Sequence, residues 1–179
     1  MRIRGASILV VLIASGWVLA PRVLACSCGA SLTMPVALAD ADAVVLGEVR
    51  SVERAASGLE RFAIAARAVW AQALGVKDPY LDDWYQSSRY GLVATIEVSE
   101  VFKGAEKGVL AVHTTPDGNT CGYPFVRGEK LVIFAHWQDD PLAKGKRFLF
   151  NTACGMTRKA SEASDAIKEL RALAREGKE

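Results

Sequence analysis

Two cysteines separated by one residue, Cys26 and Cys28, stand far upstream of two lone cysteines, Cys121 and Cys154. That placing constrains the fold more than any other feature. Upstream lies a stretch with Arg2 and Arg4 at its start, an almost wholly apolar run from Ala6 to Ala20, and Val23 and Ala25 at the −3 and −1 positions of a cleavage site. This is the layout of an export signal over residues 1–25, and its apolar run is shorter than the ~20 residues of a membrane-spanning helix. Cleavage makes Cys26 the first residue of a domain spanning 26–179. An even number of cysteines in an exported chain reads as a disulfide framework. A Cys26–Cys28 bridge closes a very small, strained ring and is set aside. The two remaining pairings both tie the N-terminus to two distant points of the chain. Either bridge closes a loop on the order of 100 residues, worth up to ~4–5 kcal/mol in the chain-entropy description.

Composition narrows the partners. The whole chain carries a formal charge of +2, but Arg2, Arg4 and Arg22 all belong to the leader, which has no acid. The exported domain is close to neutral and offers no basic stripe for a nucleic acid. It is long enough to bury one core, and a single domain is expected. No segment after the leader is apolar and long enough to span a membrane.

Hydrophobic periodicity supplies five strands. They cover residues 43–53, with Gly47 as a bulge position, then 92–102, 109–114, 130–137 and 147–151. In the second, Leu92, Ala94, Ile96 and Val98 share one face. The fourth is nearly all apolar and reads as central. Lys103-Gly104 and Asp139-Asp140-Pro141 mark turns, and Thr115 to Asn119 is a loop by composition. A helix is expected over 161–176, acidic early and basic late. A second is expected over 60–75, with Phe62, Ala66, Val69, Trp70 and Ala73 on one stripe that packs on the sheet. Residues 77–90 are aromatic-rich and read as irregular. Five mostly antiparallel strands with a terminal helix suggest a mainly β chain closed into a small barrel.

In this order, several motifs resemble the netrin-like domain and, within it, the tissue inhibitors of metalloproteinases. They are Cys26-Ser27-Cys28, the segment Ala37 to Val45, Val101-Phe102-Lys103-Gly104, Thr115-Pro116 with Cys121-Gly122-Tyr123, and Thr152-Ala153-Cys154. The resemblance implies a five-stranded closed barrel of oligonucleotide/oligosaccharide-binding (OB) type; the stretch 54–91, longer than the family's hairpin there, is read as a helical insertion, and 161–176 as a C-terminal helix. It implies the pairing Cys26–Cys121 and Cys28–Cys154. It also implies that the α-amine and carbonyl oxygen of Cys26 chelate the zinc of a target protease, with Ser27 entering the pocket beside the metal. Cys28, Thr115, Pro116 and Asn119 flank the same edge. The chain departs from the inhibitors at Ala39, where they carry a further cysteine, and it lacks their C-terminal subdomain.

Other readings of the same residues are structural stapling with a non-inhibitory protein- or glycan-binding role in the cell envelope, and lipidation of Cys26 through the lipobox-like Val23-Leu24-Ala25-Cys26. A metal or redox role for Cys-x-Cys is a third. The domain is expected to need no cofactor and to hold no metal of its own. His113 reads as a satisfied sheet residue and His136 as a surface one. Asp82-Asp83 and Asp139-Asp140 read as solvated pairs rather than acid/base dyads, and no motif of a hydrolase, phosphate loop or zincin is present, so an enzyme is not expected. Trp70, Tyr80, Trp84 and Tyr85 form an aromatic cluster that either caps the fold or lines a sugar or protein site.

Overall fold

The computed structural model describes residues 32–116 and 121–176. Its elements run α1 (Met34–Asp40), β1 (Ala43–Arg54), α2 (Gly58–Leu74), α3 (Pro79–Gln86), β2 (Leu92–Lys103), β3 (Gly108–Thr114), β4 (Lys130–Asp139), β5 (Arg147–Phe150), β6 (Arg158–Lys159) and α4 (Ser164–Glu176). All five expected strands are present, within two residues at either end. The class is mixed α/β rather than mainly β, because helix and strand occupy similar shares of the described residues. The excess helix comes from α1 and from α3. The second of these begins inside the stretch expected to be irregular, where Asp78 caps the helix by accepting from the Tyr80 N–H and Pro79 occupies the first turn.

The strands form one six-stranded sheet in the order β1-β2-β3-β5-β4-β6, and β1 also pairs with β4. The pairings β1–β2, β2–β3, β3–β5, β5–β4 and β4–β1 therefore run round a ring of five strands. All are antiparallel except the short β3–β5 contact. Register shifts around Val44, Gly47 and Val49 bend β1 enough to reach both neighbours, and the second lies at the glycine read as a bulge. A Cβ on Gly47 would lie 2.8 Å from the Glu97 carbonyl oxygen, so the strands approach more closely there than a side chain permits.

Two cores share β1 and β4. Inside the ring, Val45, Val49, Ile96, Val112, Leu131, Ile133 and Leu149 pack together. On the outer side, Val44, Leu46, Val132 and Phe134 pack against Met34 and Ala37 of α1 and Ile167 and Leu170 of α4. Burial on both faces explains why β1 and β4 read as continuous apolar runs, whereas β2, with Glu97 exposed on its outer face, alternates.

The insertion is a helical hairpin with its own small core of Ala56, Ile64 and Trp84. Ser57 and Glu60 form a capping box at the start of α2, and Gly75 ends it at φ +64°. Arg67 ties α2 to α3 through the Asp78 carboxylate and lies 4.6 Å over the Tyr80 ring. The expected apolar stripe is real but faces away from the ring. Phe62 is 73% exposed, Val69 65% and Trp70 68%, while Ile64, on the opposite side of the helix, is the residue that is buried. Phe62→Ser and Trp70→Ser should consequently each shift folding stability by no more than ~0.5 kcal/mol in urea unfolding, against about 2–4 kcal/mol for Ile64→Ala. A loss of several kcal/mol for Phe62→Ser would mean that the stripe is packed after all.

Candidate functional site

The edge that the resemblance singles out is built where β3 ends. Thr114, fully buried, accepts a 2.8 Å hydrogen bond at Oγ1 from the Tyr123 N–H, which fastens the 121–123 segment to the strand end. Gly122 lies against Thr115 so closely that a Cβ there would come within 2.1 Å of the Thr115 carbonyl oxygen. Gly122 also pairs with Thr152 in an isolated antiparallel bridge, and the Ala153 N–H donates to the Cys121 carbonyl oxygen at 2.7 Å. Thr115, Cys121 and Cys154 therefore sit on three adjoining segments, although the two cysteines are distant in sequence. Cys121 holds a left-handed backbone, φ +59°, the only described non-glycine residue that does. Neither described cysteine is a free thiol.

A buried polar bracket supports this edge from behind. The Asn151 N–H donates to the His113 carbonyl oxygen at 2.8 Å, closing the end of the β3–β5 contact. The Asn151 side-chain amide, wholly buried, donates to Thr157 Oγ1 at 2.7 Å and to the Phe134 carbonyl oxygen. In a dry site such bonds cost more to lose than to leave in place.

Of the residues expected at the site, Thr115 lies directly against Gly122, and Pro116 lies beyond it on the rim of a cleft formed with the insertion. Cys26, Ser27, Cys28 and Asn119 lie outside the described residues, as do residues 1–25, the expected leader. Among the described residues no helix is long and apolar enough to cross a membrane, and no group of three or more His, Cys, Asp or Glu is placed to hold a metal ion.

Two expectations about polar residues need correction. His113 is only half satisfied: the ring has a hydrogen bond with the Ser88 backbone, but its Nδ1 is buried with no partner, and the ring packs on Phe148 at 4.9 Å. Burial pushes its pKa below the ordinary value, against the pull of the Ser88 backbone and Asp140, so the imidazole is neutral at pH 7. Asp140 is not solvated. It accepts from Ser88 Oγ and, at 3.0 Å, from the Leu142 N–H. Burial works to raise its pKa, but these bonds outweigh that and hold the carboxyl below its usual value. Asp140 thereby ties the end of the insertion to the β4–β5 turn, a contact invisible to the sequence because Ser88 is far from it along the chain. His136, by contrast, is the half-exposed surface residue expected, 3.9 Å from Asp40.

No protein-family model matches the chain, and no curated protein matches it.

Proposed function

We propose that this chain is an exported netrin-like domain of OB type that inhibits a zinc metalloprotease through its first residue after leader cleavage. The observation that carries the reading is the adjoining placement of Thr115, Cys121 and Cys154 at one end of the strand ring. Two segments that could each receive an N-terminal cysteine lie side by side there. Bridges Cys26–Cys121 and Cys28–Cys154 would pin the N-terminus across this edge and remove most of its freedom before a target arrives, which lowers the ordering cost of binding.

The chemistry rests on Cys26. A catalytic zinc keeps a position open for water or substrate. An α-amine titrates near 8, low enough for zinc to displace its proton near neutral pH. Together with the Cys26 carbonyl oxygen it makes a bidentate N,O ligand that displaces the water. Ser27 then extends into the pocket, with Thr115, Pro116 and Asn119 along the flank. The domain itself needs no metal and performs no reaction.

Carbamylation of the α-amine is the direct test. Inhibition of a zinc endopeptidase panel should fall by at least ~100-fold, because the zinc ligand is lost while the fold is kept. Inhibition that survives the modification would place the site elsewhere. Mass spectrometry of the exported chain should find Cys26 first and unmodified; a lipid mass there would rule out chelation.

The second reading is a non-inhibitory protein- or glycan-binding module of the cell envelope. The apolar stripe exposed on α2 favours it, since soluble chains seldom leave Phe, Val and Trp together in water without a use. Inactivity against the panel together with a free Cys26 amine would select this reading.

A further inference from the structure

Between the insertion and the end of β1 lies a cleft of about 180 Å³. Its floor is apolar, formed by Ala56 and Ile64, and Trp84, Tyr85 and Tyr90 give it aromatic walls. Arg54, Arg61 and Arg89 line the same cleft. These cations come from three separate places: the last residue of β1, the first turns of α2, and the segment before β2.

Charge balance across the cleft is uneven. Arg89 pairs with Glu60 at 3.3 Å, and Glu60 is already engaged as the cap of α2 by the Ser57 N–H. Arg54 and Arg61 form no side-chain hydrogen bond or ion pair with any described residue. Among the described residues, two guanidinium groups thus stand beside an apolar, aromatic recess without a counter-charge. Guanidinium groups are matched to planar anions by their forked donors, and a recess walled by protein strengthens that attraction.

Size selects the rest of the ligand. An apolar cavity of about 150 Å³ is known to hold one six-membered ring. An inorganic anion or a short acidic chain would leave the aromatic walls uncovered, and a neutral ring would leave the arginines unanswered. We infer that this cleft is a binding site for a single six-membered ring bearing a carboxylate. The assignment does not rest on Cys26 or on a protease, although Pro116 borders both this cleft and the edge proposed for inhibition.

Titration of the full exported chain, followed through backbone amide and indole NMR shifts, tests the assignment. Sodium benzoate and sodium glucuronate supply the ring with its charge on an aromatic and on a sugar framework. Sodium acetate, benzyl alcohol and glucose each supply only one half. At least one ring acid should saturate the Gly91 amide and Trp84 indole signals about tenfold more tightly than all three partial probes, and whichever acid is tighter names the source. Arg61→Gln and Arg54→Gln should each weaken that binding about tenfold at an unchanged Tm. Acetate or a neutral ring binding as well as the ring acids would overturn the assignment. So would an affinity within about twofold of the parent in both folded arginine variants.

Discussion

Replacing Gly104 by alanine should destabilise the fold by about 3–4 kcal/mol, measured by urea unfolding. Gly104 has φ +60°, a left-handed backbone that costs a side chain roughly 1–2 kcal/mol. Space adds to the penalty. A Cβ at Gly104 would lie 1.8 Å from the Asp42 carbonyl oxygen and 2.9 Å from its carbon, so the backbone itself must move. Asp42 has little freedom to do so. Its N–H donates to the Ala135 carbonyl oxygen at 3.1 Å, and its carboxylate accepts from the Trp137 N–H at 2.9 Å. Next to it, Lys103 Nζ donates to the Leu38 and Ala39 carbonyl oxygens at the end of α1, at 2.9 and 2.7 Å. The Lys103-Gly104 turn therefore clamps the end of α1 and the entry of β1, the strand that pairs on both sides. A loss below about 1 kcal/mol would show that the β1 entry yields easily and that this clamp contributes little.

The second large effect concerns the bridges. Cys121→Ser and Cys154→Ser should each cost about 2–5 kcal/mol. Each should also release one thiol, and where it appears decides the pairing. With Cys26–Cys121 and Cys28–Cys154, alkylation followed by peptide mapping labels residue 26 in Cys121→Ser and residue 28 in Cys154→Ser. The opposite pattern would establish the other pairing. No new thiol in either variant would remove the bridges, and with them the rigid N-terminus that chelation requires. The experiment is needed because the Ala153 N–H donates directly to the Cys121 carbonyl oxygen at 2.7 Å. Receptor segments this close give two N-terminal cysteines one residue apart no obvious preference between them.

Much of the ring was readable in advance, for a local reason. A strand buried on one face alternates, as Ala94, Ile96 and Val98 do against Thr95 and Glu97, and one buried on both faces runs apolar, as Leu131 to Ala135 do. The error over residues 77–90 has an equally local origin. Asp78-Pro79 is a helix-start signal, and Tyr80 with Trp84 and Leu81 with Tyr85 follow at helical spacing, but the density of aromatic residues reads as irregular chain. At the site, the two distant cysteines stand out by their count and position, and Thr115 through the resemblance. Gly122 is part of one of the motifs of that resemblance, but its close approach to Thr115 is a tertiary contact that leaves no local signal. The arginines of the cleft carried no signal at all, since Arg54, Arg61 and Arg89 share no motif and meet only because the insertion folds back on the end of β1. The aromatic residues beside them did give notice of something to explain.

By itself, the order of residues determined where the strands and two of the four described α-helices form, and it supplied the four-cysteine pattern from which an N-terminus tied across the domain is proposed. These follow from side-chain period, backbone freedom and cap chemistry, all of which act within a few residues. Tertiary structure alone decided which way each surface faces. The stripe of Phe62, Val69 and Trp70 looked like a core face because amphipathic helices ordinarily bury such a stripe. The Arg67–Asp78 pairing and the Ile64–Trp84 contact fix the rotation of α2 the other way. Side chains remote in sequence outvote the helix's own hydrophobic pattern, and the same rotation that leaves the stripe in water turns Arg61 and Ile64 into the cleft.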